Sequence, residues 1–212
     1  IANLAKDDKG NMPPYWSSPS GRMDVMADGR IVSPHFQFCS TTILNFDNPS
    51  SSTYWGGFWD YFLFPMCAAV DQQRGKIYIA DRVTNGGGGG RLGGRIQIWD
   101  SAEADRCVYK KPGLRKPRVE EDYTPEYFGL FKWVADMEID PTPCELYVVE
   151  SLKNSVKVYS IKGEKPELVR EFGSDVFDFP RAIEKGAGEN FYVVDGNNHR
   201  VVIVNGIGEV QG

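Results

Sequence analysis

Short apolar runs alternate with polar residues along most of the chain, at the period of two expected of half-buried strands. The clearest case is residues 189–205, ENFYVVDGNNHRVVIVN. Phe191 and Val193, then Val201 and Ile203, alternate with their neighbours on either side of Asp195-Gly-Asn-Asn-His-Arg200. That central run is made of residues that tolerate left-handed backbone and bond locally, so the segment predicts strand, tight turn, strand.

The pattern returns three more times. Second strands align as Gly29-Arg-Ile-Val-Ser-Pro-His35, Gly75-Lys-Ile-Tyr-Ile-Ala-Asp81, Cys144-Glu-Leu-Tyr-Val-Val-Glu150 and Glu189-Asn-Phe-Tyr-Val-Val-Asp195. Third strands align as Thr42-Ile-Leu-Asn-Phe-Asp47, Arg95-Ile-Gln-Ile-Trp-Asp100, Ser155-Val-Lys-Val-Tyr-Ser160 and Arg200-Val-Val-Ile-Val-Asn205. Candidate first strands precede each pair, at Met23-Asp-Val-Met26, Cys67-Ala-Ala-Val70, Ala135-Asp-Met-Glu-Ile139 and Ala182-Ile-Glu184. The third-strand ends recur after 53, 60 and 45 residues.

A unit of about 45 residues built from several short strands predicts a propeller blade, which cannot bury both faces alone and must stack on neighbours. Residues 120–134 come nearest to a helical pattern, and Pro125 and Gly129 count against it. Residues 1–21, polar with Pro13, Pro14 and Pro19, read as an extended arm. Residues 22–212 then divide into units 22–63, 64–130, 131–178 and 179–212. The fold class expected is all-β: a propeller of four-stranded antiparallel blades, about four of them visible and read as part of a six-bladed ring.

Composition narrows the partners. A formal charge of −5, from 24 basic and 29 acidic residues, provides no basic footprint for nucleic acid. The longest apolar stretch, residues 61–70, is broken by Pro65 and falls short of the roughly 18 residues of a membrane span. The chain opens at Ile1 rather than Met, and we read it as either a processed mature chain or a fragment. Cys39, Cys67, Cys107 and Cys144 form no CxxC pair, which argues against zinc ribbons and thioredoxin-type redox motifs. Their even count suits two disulfides in an exported protein or four buried thiols.

The repeat resembles the NHL family of six-bladed propellers. Residues 179–205 carry the likeness best, as Phe179-Pro-Arg-Ala, Phe191-Tyr-Val-Val-Asp195 and Asn197-Asn-His-Arg200 leading into Val201-Val-Ile-Val204. Residues 64–100 follow, with Phe64-Pro65, Ile77-Tyr-Ile-Ala-Asp81 and Arg95-Ile-Gln-Ile-Trp-Asp100. The third unit departs from it at Glu150 and Ser155, and the first at His35 and Thr42. Within this scheme Asp81, Arg95, Asp195 and Arg200 are expected to staple each hairpin, and His199 to be a turn residue. The alignment also places Cys39 with Cys67 on one face and Cys107 with Cys144 on the other, the two disulfide pairs expected.

Candidate binding residues lie in the connections. The loops between second and third strands share a face with the loops between blades, where repeat proteins commonly bind. On or beside that face we place Trp55, Trp59, Asp60, Arg82, Arg91, Trp133 and Arg181. Aromatic side chains in residues 54–62 suit a protein contact or a sugar platform, and equally suit packing over the fold. The run Gly86–Gly90 lacks the Lys-Ser/Thr of a phosphate loop, which excludes nucleotide binding of that kind.

No catalytic or metal set can be assembled. His35 and His199 are the two histidines, too few for a multi-histidine centre, and no cofactor is expected. Calcium, which lactonase-like relatives of the fold hold in the central channel, is the one ion the resemblance leaves open. The reading is a non-catalytic interaction or structural module, extracellular or periplasmic, that binds a protein, a glycan or copies of itself. The alternatives are a propeller lyase or lactonase-like hydrolase with a channel metal, and a subunit of a polymer or multiprotein complex.

Overall fold

The computed structural model describes residues 21–36, 40–48, 53–56, 62, 64–84, 92–101 and 126–211. These form four antiparallel sheets, each assembled from strands consecutive in sequence. Sheet 1 contains β1 (Asp24–Val25), β2 (Ile31–His35), β3 (Ser40–Leu44) and β4 (Thr53–Gly56) in that order. Sheet 2 contains β5 (Pro65–Asp71), β6 (Lys76–Thr84), β7 (Leu92–Asp100) and β8 (Glu126–Phe131). Sheet 3 contains β9 (Val134–Asp140), β10 (Glu145–Glu150), β11 (Ser155–Ser160) and β12 (Glu167–Phe172). Sheet 4 contains β13 (Pro180–Lys185), β14 (Asn190–Asp195) and β15 (Arg200–Asn205). A Val204–Val210 bridge and a 2.7 Å bond from the Gln211 amide to the Ile203 carbonyl begin a further edge beside β15.

Most strands predicted from alternation recur within a residue or two; the third strand expected over Thr42–Asp47 is instead β3 (Ser40–Leu44), because Asn45 Oδ1 accepts the Asp47 and Asn48 amides and turns the chain. β6 and β7 continue to Thr84 and back from Leu92, shortening the connection left between the strands expected to end at Asp81 and to begin at Arg95. Val83 and Thr84 are β-branched and favour extended backbone, so the strand persists beyond Asp81. Residues 126–131 form the outer strand of sheet 2 in the region that came nearest to a helical pattern.

Turns between first and second strands use left-handed backbone. Gly29, Gly75 and Gly188 adopt positive φ there, and Cys144 does so at φ 56° without the freedom of glycine. At the β5–β6 turn, Asp71 Oδ1 accepts from the amides of Gln73 and Arg74, each at 3.1 Å, and Oδ2 accepts from Arg74 Nε.

The described chain forms two compact units, Ile1–Asp81 with Gln97–Tyr127, and Arg82–Ile96 with Phe128–Gly212. In the first, Met26, Val32 and Ile43 of sheet 1 share a core with Ala68, Val70, Ile77, Ile79 and Trp99 of sheet 2. In the second, Tyr147, Val149, Val156 and Val158 of sheet 3 pack against Phe191, Val193, Val202 and Val204 of sheet 4. The rings of Tyr147 and Phe191 stack with centroids 4.1 Å apart.

Each unit also joins neighbouring first strands through a carboxylate. Asp24 Oδ2 accepts from the Val70 amide at 2.6 Å, and Asp136 Oδ2 accepts from the Ile183 amide at 2.9 Å. A strand at the edge of its sheet presents backbone groups without ladder partners, and these two acids satisfy one each. On the outer side of the second unit, Arg170 holds Glu145 through two bonds and donates from Nε to the Gly206 carbonyl at 2.9 Å. The Tyr147 hydroxyl reaches the same carbonyl at 3.2 Å. Burial opposes ionisation of Glu145, but the Arg170 bonds and charge outweigh it and hold the carboxyl below its ordinary range.

Among the described residues no helix is long and apolar enough to cross a membrane. Phe191→Ala should destabilise the protein by about 3–5 kcal/mol, from lost transfer energy and the cavity left behind. Tyr192→Ala, one position along on the open side of the strand, should cost less than about 1.5 kcal/mol because less area is removed from contact. Paired urea melts measure both; equal losses would contradict the assigned packing.

Candidate functional site

On the second strands of sheets 2, 3 and 4 a buried acid anchors the same polar arrangement; His35 stands at that place in sheet 1. Asp81, Glu150 and Asp195 are each no more than 1% exposed, and each carboxylate divides its oxygens in the same way. One oxygen accepts the amide of a residue leading into the first strand of its own sheet. Phe64 N donates to Asp81 Oδ1 at 2.8 Å, Lys132 N to Glu150 Oε1 at 2.7 Å and Asp178 N to Asp195 Oδ1 at 2.6 Å. The other oxygen accepts from the third strand: from Gln97 Nε2 at 3.0 Å, Lys157 Nζ at 2.5 Å and Arg200 Nε at 2.9 Å.

The donor set explains the departures of the third unit. Ser155 stands opposite Glu150 where Arg200 stands opposite Asp195. The extra methylene of glutamate carries its carboxylate further, to Lys157 two residues on. Gln97 likewise lies two residues beyond Arg95, the expected staple, which sits on β7. Residues i and i+2 face the same side of a strand, so either position can supply the donor. Gln97 and Lys157 went unidentified in the sequence because an amide and a lysine do not match the repeat's arginine; the period-two spacing was the available signal.

Burial disfavours the Asp195 carboxylate, yet the bonds from Asn198, the Asp178 amide and Arg200 together hold it below the ordinary carboxylate range. Asn198 Nδ2 donates to Oδ2 at 2.9 Å, and Arg200 also donates to the Val176 carbonyl at 2.8 Å. His199 occupies the turn at φ 51°, exposed, as expected of a turn residue.

In the second unit the clasps of Glu150 and Asp195 lie beside a face made by second-to-third-strand turns and the lead-ins to first strands. In the second unit it is built from the 3-10 turn Ser151–Lys153 and residues 173–181. Ser151 Oγ donates to the Pro180 carbonyl at 2.5 Å, and the Phe179 amide donates to Asn154 Oδ1 at 3.0 Å. Asn154 and Phe179 both adopt left-handed φ, near 56° and 53°. The two segments are therefore fixed to one another, and they present Leu152, Lys153 and Arg181 to solvent.

Of the candidate binding residues, Arg82, Trp133 and Arg181 fall on this unit. The Arg82 guanidinium lies 4.4 Å from the Trp133 ring centroid, and that of Arg181 lies 4.6 Å from the Phe179 ring centroid. Trp55 belongs to β4, whose side chains are outside the description, as are Trp59, Asp60 and Arg91. Cys39 and Cys107 also lie outside it, so each expected disulfide pair has one described member. Cys67 is buried on β5, and the Cys144 thiol donates to the Pro141 carbonyl at 3.4 Å. Among the described residues no three His, Cys, Asp or Glu side chains converge on a point where a metal ion could sit, so no calcium set is found there.

No family model matches the chain, and no curated protein does. Solved structures do. A nidogen/laminin complex aligns with a TM-score of 0.60 at 12% identity, over 86% of this chain and 58% of that chain. Catalytically inactive H270A virginiamycin B lyase from Staphylococcus aureus with quinupristin aligns with a TM-score of 0.61 at 12% identity, over 96% of this chain and 59% of that chain. This chain thus spans less than two thirds of the length of either. With four antiparallel sheets and these neighbours, its fold is that of a β-propeller, and each sheet is a blade.

Replacing Asp195 by Asn should cost about 3 kcal/mol, because a buried carboxylate with several donors would give way to an amide that cannot accept them all. Arg200→Ala should cost less than about 1 kcal/mol, since that side chain is half exposed and screened. Because the Asp195 pKa is lowered on folding, its contribution is full above the unfolded carboxylate value near 4 and is lost as pH falls through the folded value. Denaturant melts between pH 7 and pH 2 should therefore show an acid-sensitive component that Asp195→Asn reduces. Unchanged acid sensitivity would contradict the assignment.

Proposed function

We propose that this chain is an interaction module on a propeller scaffold, binding a protein partner through the face that carries the second-to-third-strand turns. The observation that carries the reading is the division of labour between buried and exposed side chains. Glu150 and Asp195, buried beside that face in the second unit, are occupied with backbone amides and strand-three donors. Leu152, Lys153 and Arg181 project from segments tied by the Ser151–Pro180 and Asn154–Phe179 bonds. A rigid rim with an arginine braced on an aromatic ring suits a binding hot spot, where arginine is enriched, and its fixed geometry reduces the ordering cost of association.

The structural neighbours support both a binding and a catalytic use of this scaffold, one being a nidogen/laminin complex and the other a lyase. Fold alone does not choose between them. We favour binding because the buried second-strand carboxylates are taken up by backbone amides and third-strand donors, while the rim exposes cationic, apolar and acidic side chains, Asp175 and Asp178 among them. An extracellular or periplasmic setting and a glycan ligand belong to the same proposal.

The test is a photo-crosslinking amino acid placed at Leu152 in the protein expressed in its own source, alongside a glycan array with the purified chain. One dominant protein adduct is expected, reduced about tenfold or more by Arg181→Glu, as loss of a hot-spot residue would. The melting temperature of that variant should stay unchanged. A saturable glycan signal abolished by Arg181→Glu would redirect the proposal to carbohydrate, and absence of both signals would overturn it.

A further inference from the structure

The rim of the second unit holds two arginines in the same way. The Arg82 guanidinium lies over the Trp133 ring and that of Arg181 over the Phe179 ring. A stacked guanidinium uses its flat face, while its N–H donors point outward in its own plane. Among the described residues neither guanidinium has a carboxylate partner, and Arg82 Nε is buried without a hydrogen bond. A buried donor left without an acceptor is costly, so an arriving carboxylate gains more there than at a hydrated one. The Arg181 stem also lies against Gly196, where an added Cβ would sit 2.8 Å from Cγ, which fixes the side chain from a second direction.

One buried serine ties the two pairs together. The Ser151 amide donates to the Trp133 carbonyl at 3.0 Å, and its hydroxyl donates to the carbonyl of Pro180, the residue before Arg181. Lys132 precedes Trp133 and Lys153 closes the 3-10 turn that Ser151 opens; both are exposed. Four cations thus gather around Ser151 in a chain whose net charge is −5. Of the acids nearby, Glu150 is committed to the Lys132 amide and Lys157. Asp175 and Asp178 are exposed on the lead-in to β13, and Asp178 Oδ1 accepts from Asn197 Nδ2 at 3.2 Å, on the side of the β14–β15 turn.

We propose that the occupant of this face is an acidic protein segment whose Asp or Glu carboxylates pair with Arg82 and Arg181. The inference rests on the binding role proposed for the face and names the chemistry of its partner. Charge complementarity carries it: two donor forks are already oriented by their rings, and a carboxylate accepts such a fork through both oxygens.

The test is fluorescence anisotropy with the full chain and a labelled glutamate homopeptide, read against a glutamine homopeptide and a phosphoserine peptide of the same net charge. The glutamate peptide should bind, more weakly as salt rises, and the glutamine peptide should not. Arg82→Gln and Arg181→Gln should each weaken binding about tenfold, as loss of a charged hydrogen-bond pair does. Lys165→Gln, exposed on the β11–β12 connection at the other end of sheet 3, should leave it unchanged. Equal binding of the glutamine peptide, an equal loss from Lys165→Gln, or tighter binding of the phosphoserine peptide would overturn the proposal. A Leu152 crosslink to a protein without glutamate-peptide binding would overturn the acidic partner and leave the binding role standing. Absence of both would overturn the two together.

Discussion

In three of the four sheets the interaction on which the blade depends is a buried carboxylate on the second strand, at the place His35 takes in sheet 1. Such a group is costly to bury unless donors replace its water, and backbone amides are the cheapest donors to fix in place. Asp81, Glu150 and Asp195 each take one from the segment that enters the first strand and one donor from the third. Three consecutive pieces of chain are thereby held at one point. The turn beyond that point is then free to vary in length without loosening the sheet, since the strain of any insertion ends at the clasp.

A second consequence concerns chemistry. The Asp195 carboxylate, whose oxygens accept from an amide, an asparagine and an arginine and whose pKa is held low, is a poor general base. The side chains exposed beside it in the second unit include Leu152, Lys153 and Arg181, the residues of the proposed binding face. The clasp acids build the face; the exposed residues give it a character.

Much of the blade pattern was legible in the sequence, because a period of two survives wherever a strand has one wet side. Phe191 and Val193 alternate with Tyr192 and Val194 and could be recognised as a strand. Which of them faced the core could not, since all four are apolar. β15 shows the same ambiguity: Val202 and Val204 are the buried pair, while Val201 is exposed. The clasp was legible where Asp and Arg stand directly opposite, and was hidden where Gln97 or Lys157 supplies the donor from two residues on. The Arg82–Trp133 contact was beyond reach because nothing local couples two residues in different strands' connections. Longer strands β6 and β7 escaped for the opposite reason: glycines nearby masked a β-branched continuation.

The central claim is that these acids are structural, and the amides they hold report on it directly. Native-state hydrogen exchange followed by NMR would read the Phe64, Lys132 and Asp178 amides, which sit outside the strand ladders. The account predicts that all three exchange through the global unfolding reaction, as slowly as the amides of β10 and β14. Exchange at the rate of the neighbouring turns would mean that the carboxylates are not engaged with the backbone, and would contradict their structural role.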